Sequence, residues 1–282
     1  MKEIPIIEIF GGSGKNGNGD NFCIQGEGKF AGVPSIFVRV FGCNLKCAFG
    51  DPSREEVNEV LAKSKIYDSL DELPILKTGC DTFYSIYPQF RRFSEMFDVE
   101  KLLNNLEERV SKNVHLVITG GEPLLPGYQE FWAKLIPRLP QIGIKKITFE
   151  TNGTQKLTTE FKKMLRYYQY NTLEVFFSIS PKLSNSGHTS AETLKPEVIQ
   201  EYVLLAENSW LKYVVSPLTD IKEIQFFNKA YNVNIPVYLM PQGGTKKEYL
   251  TNEPIVYTIC CELGYHYSPR LQVSALDNKI GA

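Results

Sequence analysis

From residue 36 onward, short β-rich runs alternate with longer stretches whose apolar positions recur every three or four residues. The short runs predict strands at 36–40, 115–118, 146–150, 175–179, 212–215, 236–240 and 271–274. Between them the clearest helical stripe is 99–110, where Val99, Leu102, Leu103, Leu106 and Val110 share one face. Residues 129–139, 158–167, 192–206 and 219–230 repeat that period. Regular β–α alternation predicts an α/β fold with a parallel sheet, open or closed into a barrel. Such folds carry their active sites at the carboxyl ends of the strands.

Two stretches break the rhythm. Residues 50–79 form an acidic interruption with seven acids and four bases between Asp51 and Lys77. Ser53 and Glu56 have capping-box spacing, and Val57, Val60 and Leu61 supply a small apolar face, so a helical insertion in a loop is expected, standing as a solvated flap. The other is the glycine-rich run from Gly11 to Gly19. It is no phosphate loop, because Gly14-Lys15 is followed by Asn16 rather than Ser or Thr; a connector or hairpin is expected.

The 282 residues are long enough for a substantial core, and 43% apolar against 22% charged residues excludes disorder as the main state. With 31 Lys plus Arg against 32 Asp plus Glu the net charge is −1, so long nucleic acid has no electrostatic hold. No apolar stretch is long enough for a membrane span and the first residues do not open a signal peptide, which makes a cytoplasmic protein the expectation. The six cysteines are too sparse for a disulfide scaffold. Cys260 and Cys261 fall in an apolar helical stretch and read as packing, as does Cys23. His115, His188 and His266 suggest filler or surface rather than ligands.

That leaves Cys43, Cys47 and Cys80. Cys43 and Cys47 follow the strand at 36–40 through Phe41-Gly42, where a barrel would display ligands. Structural zinc commonly uses paired Cys-x2-Cys motifs and four ligands; three thiolates suit an iron–sulfur cluster with one iron left open for a chelating cofactor.

The run from Gln25-Gly26-Glu27-Gly28 through Arg39 to Cys43-Asn44-Leu45-Lys46-Cys47 resembles the start of the 7-carboxy-7-deazaguanine synthase family of radical S-adenosylmethionine (SAM) enzymes. Similarity continues in order through Cys80-Asp81-Thr82-Phe83-Tyr84-Ser85, Thr119-Gly120-Gly121-Glu122-Pro123 and Glu150-Thr151-Asn152-Gly153-Thr154. It ends with Ser180-Pro181-Lys182, Leu211-Lys212-Tyr213, Met240-Pro241-Gln242 and Ser268-Pro269-Arg270-Leu271-Gln272. The resemblance implies one radical SAM domain over 1–282, a partial (β/α) barrel whose segment 1–35 binds substrate and whose cluster loop carries the 50–79 insertion. It implies conversion of 6-carboxy-5,6,7,8-tetrahydropterin to 7-carboxy-7-deazaguanine with loss of ammonia, on the way to queuosine and other 7-deazaguanines.

Two departures stand out. The family's third cysteine position after Cys47 is Gly50, and its Cys-Asp-Thr signature reappears at Cys80, so the implied [4Fe–4S] ligands are Cys43, Cys47 and Cys80 with 32 residues between the last two. The family commonly has His where Gln272 stands; Gln can hydrogen-bond substrate but carries no proton at neutral pH. By resemblance SAM is met by Gly79, Asp81, Ser85, Gly120, Gly121, Glu122, Ser180, Pro181, Lys182 and Gln242. Substrate is met by Ile24, Gln25, Gly26, Glu27, Arg39, Thr119, Gln272 and the terminal carboxylate of Ala282, with Arg39 as the cation for its carboxylate. Thr82 is the implied ligand of Mg²⁺. A flavodoxin-like electron donor and a homodimer are implied as partners. The competing readings are another radical SAM enzyme, such as a glycyl-radical activase, which does not account for Gln25-Gly26-Glu27 together with Arg39, and a zinc-stabilised binding module, which would be colourless where an iron–sulfur protein is brown.

Overall fold

The computed structural model describes residues 3–12, 23–110, 114–169, 172–216 and 219–280. Among them nine strands form one sheet: β1 (Ile4–Gly11), β2 (Ser35–Val40), β3 (Glu95–Phe97), β4 (His115–Gly120), β5 (Lys146–Thr151), β6 (Glu174–Ile179), β7 (Trp210–Val215), β8 (Val237–Pro241) and β9 (His266–Tyr267). Their order is β3-β1-β2-β4-β5-β6-β7-β8-β9, with β1 antiparallel to both β2 and β3 and every pairing from β2 onward parallel. The helices are α1 (Glu55–Ala62), α2 (Val99–Arg109), α3 (Pro126–Leu135), α4 (Thr159–Gln169), α5 (Ser190–Thr193), α6 (Pro196–Leu205), α7 (Thr219–Tyr231), α8 (Lys246–Leu263) and α9 (Leu271–Leu276). The result is an α/β partial barrel, as expected. No helix among the described residues is long and apolar enough to cross a membrane.

Strand alternation sorts the side chains. Ile36, Val38, Leu116, Ile118, Ile147, Phe149, Val175, Phe177, Leu211 and Tyr213 join the main core together with helix residues such as Leu102, Leu106, Phe131 and Phe161. Their neighbours in sequence point to the other face, where the lower residues are aromatic and the upper ones polar. Phe30 packs edge-on against His115, Phe176 and Trp210 low in the barrel. Above them parallel register puts Arg39 opposite Thr119 and Glu150 opposite Ser178. Polar side chains therefore gather at the carboxyl ends of the strands.

Several boundaries differ from the sequence expectations. Residues 271–274 are helical, within α9, and the last strand lies upstream at β9; the short apolar run behind Pro269 carried no period that separates the two states. Residues 192–206 split into α5 and α6 because Pro196 opens the second helix and disfavours helical geometry just before it. The 129–139 stripe divides between α3 and a 3₁₀ segment containing Pro140. Strands β1 and β3 escaped the periodicity altogether. Most of the glycine-rich run, from residue 13, lies outside the described residues.

The insertion is helical, but it is no solvated flap. Val57, Val60, Leu73 and Leu76 are buried in a second core with Ile7, Phe41, Phe83, Tyr84, Ile86, Tyr87 and Phe90. The capping box does not form. Arg54 precedes α1 without a side-chain cap, Ser53 bonds back to Asp51, and Glu56 instead accepts from Lys77 N–H (2.9 Å), Thr78 N–H (2.9 Å) and Thr78 Oγ1 (2.8 Å). At the base of the excursion Gly79 N–H donates to the Phe49 carbonyl at 2.6 Å. The cysteine pair in α8 also divides: Cys260 is buried in the core and Cys261 is exposed.

Candidate active site

A cavity of about 250 Å³ opens at the carboxyl ends of the strands. Cys43, Cys47 and Cys80 all line it, with Gly79, Asp81 and Thr82 beside the third. Burial pushes each thiol up. Cys43 rises to about 12, by burial and by the Glu122 carboxylate. Cys47 rises mainly by burial, with Lys182 opposing and the other two thiols and Asp81 adding to it; Cys80 rises by burial and by Asp81, opposed by its hydrogen bonds to Thr82 and by Lys182. Three neighbouring sulfurs so placed cannot all ionise by themselves; thiolate-bound cations would supply the missing positive charge. Among the described residues no three His, Cys, Asp or Glu side chains converge on a point suited to one metal ion. Three cysteine thiols suit an iron–sulfur cluster with one iron left open, whereas a structural zinc is closed by four ligands.

Beside the thiols, β4 ends at Gly120 and Gly121 follows, both in the cavity wall. A Cβ on Gly120 would collide with the Val40 carbonyl and one on Gly121 with the Gly42 carbonyl, so only glycine lets this turn lie against the end of β2. Glu122 is not part of the wall. Its carboxylate is fully buried and accepts from Leu124 N–H (2.9 Å), Thr151 Oγ1 (2.8 Å) and Asn152 N–H (2.8 Å). Burial pushes it up to about 7 despite these donors. It lies behind the wall, where its hydrogen bonds tie the turn after β4 to the end of β5. Ser85 is likewise buried away from the cavity, where its hydroxyl donates to the Thr82 carbonyl (2.7 Å) and its carbonyl accepts from Gly42 N–H (2.7 Å). Pro181 is buried and outside the wall, whereas Ser180, Lys182 and Gln242 line it. Lys182 Nζ is held by the Ser180 hydroxyl at 2.9 Å.

The opposite side of the cavity is a chain of alternating charges. Glu27 accepts from Lys212 Nζ (2.6 Å), Arg270 Nε (3.3 Å) and Gln272 Nε2 (2.6 Å). Burial alone would raise this carboxyl, but Lys212 and Arg270 hold it at about 2. Lys212 also faces Glu150 at 3.9 Å, and Glu150 accepts from Gln25 Nε2 (3.1 Å) and Thr119 Oγ1 (2.9 Å). Because ionised Glu27 demands a donor, the Gln272 amide is oriented with its nitrogen toward Glu27. Its Oε1 is left buried without a partner. Gly26 permits this, since a Cβ there would occupy the Gln272 Oε1 position. Arg39 lines the cavity with its Nε pinned by Glu8 at 2.7 Å, and Tyr84 OH donates to the same Glu8 oxygen at 2.6 Å.

Ile24, Gln25, Gly26, Glu27, Arg39, Thr119 and Gln272 all line the cavity. Ala282 lies outside the described residues, but Asn278, Lys279 and Ile280 line the cavity rim just before it. Lys212, Glu150, Arg270 and Glu8 carried no assigned role. Their signal was a lone charge inside or beside an apolar strand, a placement that pays only when a partner is buried with it.

No family model matches the chain. A protein named 7-carboxy-7-deazaguanine synthase from Halobacterium salinarum is 29% identical over 96% of this chain and 90% of its own length. One of the same name from Pyrobaculum aerophilum is 27% identical over 99% and 97%. The crystal structure of QueE from Escherichia coli superposes with a TM-score of 0.55 at 22% identity, covering 95% of this chain and 94% of that one, and shares the fold.

Proposed function

We propose that this chain, a relative of the 7-carboxy-7-deazaguanine synthases along almost its whole length, is a radical SAM enzyme that converts 6-carboxy-5,6,7,8-tetrahydropterin to 7-carboxy-7-deazaguanine with loss of ammonia. The observation that carries the reading is the meeting, in one cavity, of three cysteines with a polar wall suited to a carboxylated pterin. Cys43, Cys47 and Cys80 hold a [4Fe–4S] cluster. With SAM, such a cluster would supply one-electron radical chemistry at the substrate.

Everything else falls to the chain's own groups. The Gly120-Gly121 turn admits the methionyl part of SAM to the backbone, and Ser180, Lys182 and Gln242 offer a hydroxyl, a cation and an amide to it. Glu122 and Ser85 keep that wall rigid from behind. Arg39, held by Glu8 through Nε, turns its two terminal nitrogens to the substrate carboxylate. Gln25, Glu27 and the unpartnered Gln272 oxygen face the N–H groups of the pterin edge, and Thr119 stands next to them. Glu27, ionised at every physiological pH, is an acceptor and not a proton source. Thr82 would offer an oxygen ligand to Mg²⁺. The enzyme works as a homodimer in the cytoplasm, with a flavodoxin-like one-electron donor reducing the cluster.

The test is anaerobic incubation of reconstituted, reduced protein with SAM and carboxytetrahydropterin. A deazapurine chromophore appearing with 5′-deoxyadenosine and ammonia is the expected result. SAM cleavage that needs a glycyl-radical protein partner instead, or a colourless zinc-loaded protein, would overturn it.

A further inference from the structure

Arg270 is committed through all three of its guanidinium nitrogens. It stands between β9 and α9 with 5% of its side chain exposed, and each guanidinium nitrogen meets a different part of the chain. Nε donates to Glu27 in the N-terminal segment (3.3 Å), Nη2 to Asp81 (2.6 Å), and Nη1 to the Gly243 carbonyl beyond β8. Asp81 is covalently next to Cys80, and its carboxylate has no other hydrogen-bond partner among the described residues. Glu27, by contrast, keeps Lys212 and Gln272 whatever Arg270 does. The same cation therefore holds the third sulfur's neighbour and shares in holding the pterin-facing carboxylate.

We propose that Arg270 is a positioning residue that couples segment 80–82, on the cluster side of the cavity, to Glu27 on the substrate side. The inference rests on the reading of the cavity given above. It follows from the shape of the group. A planar fork with three separate nitrogens can hold two carboxylates and a carbonyl at fixed angles, while an ammonium carries the charge without the geometry. Displacement of Glu27 by an arriving substrate is felt at Asp81, and so at Cys80, through one rigid body.

The test compares wild type with Arg270→Lys and Asp81→Asn. In cluster-free protein, Arg270→Lys speeds amide exchange about tenfold in both segments 80–84 and 25–28. Asp81→Asn does so only in 80–84. In reconstituted, reduced protein, carboxytetrahydropterin shifts the electron paramagnetic resonance line shape of the wild-type cluster, and both variants lose that response while still binding the pterin. Unchanged exchange in both segments with an intact spectral response overturns the proposal. So does exchange that rises evenly along the whole chain, the mark of a merely structural residue. If wild type holds no cluster or takes no pterin, the proposed activity fails, while the exchange comparison still decides whether Arg270 couples the two segments.

Discussion

Gly79 donates its backbone N–H to the carbonyl of Phe49 at 2.6 Å, so a chain that leaves after Cys47 returns at its point of departure before delivering Cys80. Sequence distance between the second and third thiols is thereby cancelled by one peptide contact. Closing a loop of this length costs little more than closing a short one, because the entropy grows only with the logarithm of length.

Cysteine identity is the most direct prediction. Cys80→Ala removes a cavity-lining sulfur, and the purified protein is expected to retain little of the iron and sulfide of wild type. Cys260→Ala deletes one core sulfur 5% exposed in α8, costs about 1 kcal/mol and leaves the iron content unchanged. Anaerobic iron and sulfide assays check both. A Cys80 variant that keeps full iron would show that the register is wrong.

Glu56 tests the return path without touching a thiol. Its carboxylate binds two backbone N–H groups and one hydroxyl of Lys77 and Thr78, the residues just before the Gly79 contact. Glu56→Ala is expected to cost about 1–3 kcal/mol of local stability and to speed iron loss to a chelator severalfold. Equal chelation rates would mean that the segment is held by its apolar residues alone.

These two cases mark what the sequence could and could not convey. Cys43, Cys47 and Cys80 were legible because each sits in a short motif whose neighbours belong to one chemistry. The parallel sheet was legible because buried strands and amphipathic helices have different periods. Strand β1 was not, since Ile4-Pro5-Ile6-Ile7 is continuously apolar and its antiparallel place beside β2 depends on distant residues. The charge chain was hidden for a related reason. Lys212 and Glu27 are 185 residues apart and meet only because β7 turns Lys212 inward beneath the segment that carries Glu27. Glu122 shows the converse: its motif suggests an open ligand contact, and burial behind two close-packed turns made it a brace.

The Gly26 site separates binding from cluster assembly. A methyl group there would occupy the Gln272 Oε1 position. Gly26→Ala is therefore expected to swing Gln272 away, raise the Kd for carboxytetrahydropterin about tenfold and leave iron content unchanged. Calorimetric titration of the cluster-loaded protein reads the first, and the iron assay the second. An unaltered Kd would remove Gln272 from the substrate's contacts.

Glu122 gives a pH dependence whose sign can be worked out. Its ordinary value is 4.5, and burial raises it to about 7 in the folded chain. The folded state then holds the proton more tightly than the unfolded one. Its contribution is complete below about pH 4.5 and is lost as pH rises toward 7, a decline on the order of 3 kcal/mol (7 − 4.5 = 2.5 pH intervals of 1.36 kcal/mol each). Glu122→Gln keeps an oxygen for Leu124 N–H and Thr151 Oγ1 but turns an NH₂ toward Asn152 N–H, leaving that donor unpaired. This costs about 1–3 kcal/mol at every pH. The variant is therefore expected to be less stable than wild type at pH 5 and to close or reverse the gap by pH 8. Urea unfolding of metal-free protein at the two pH values measures it. The thiols stay protonated throughout that range, because burial has pushed them up, and groups common to both proteins cancel in the difference. A gap that stays constant would mean that Glu122 is already ionised in the folded chain at pH 5, with its three donors outweighing burial.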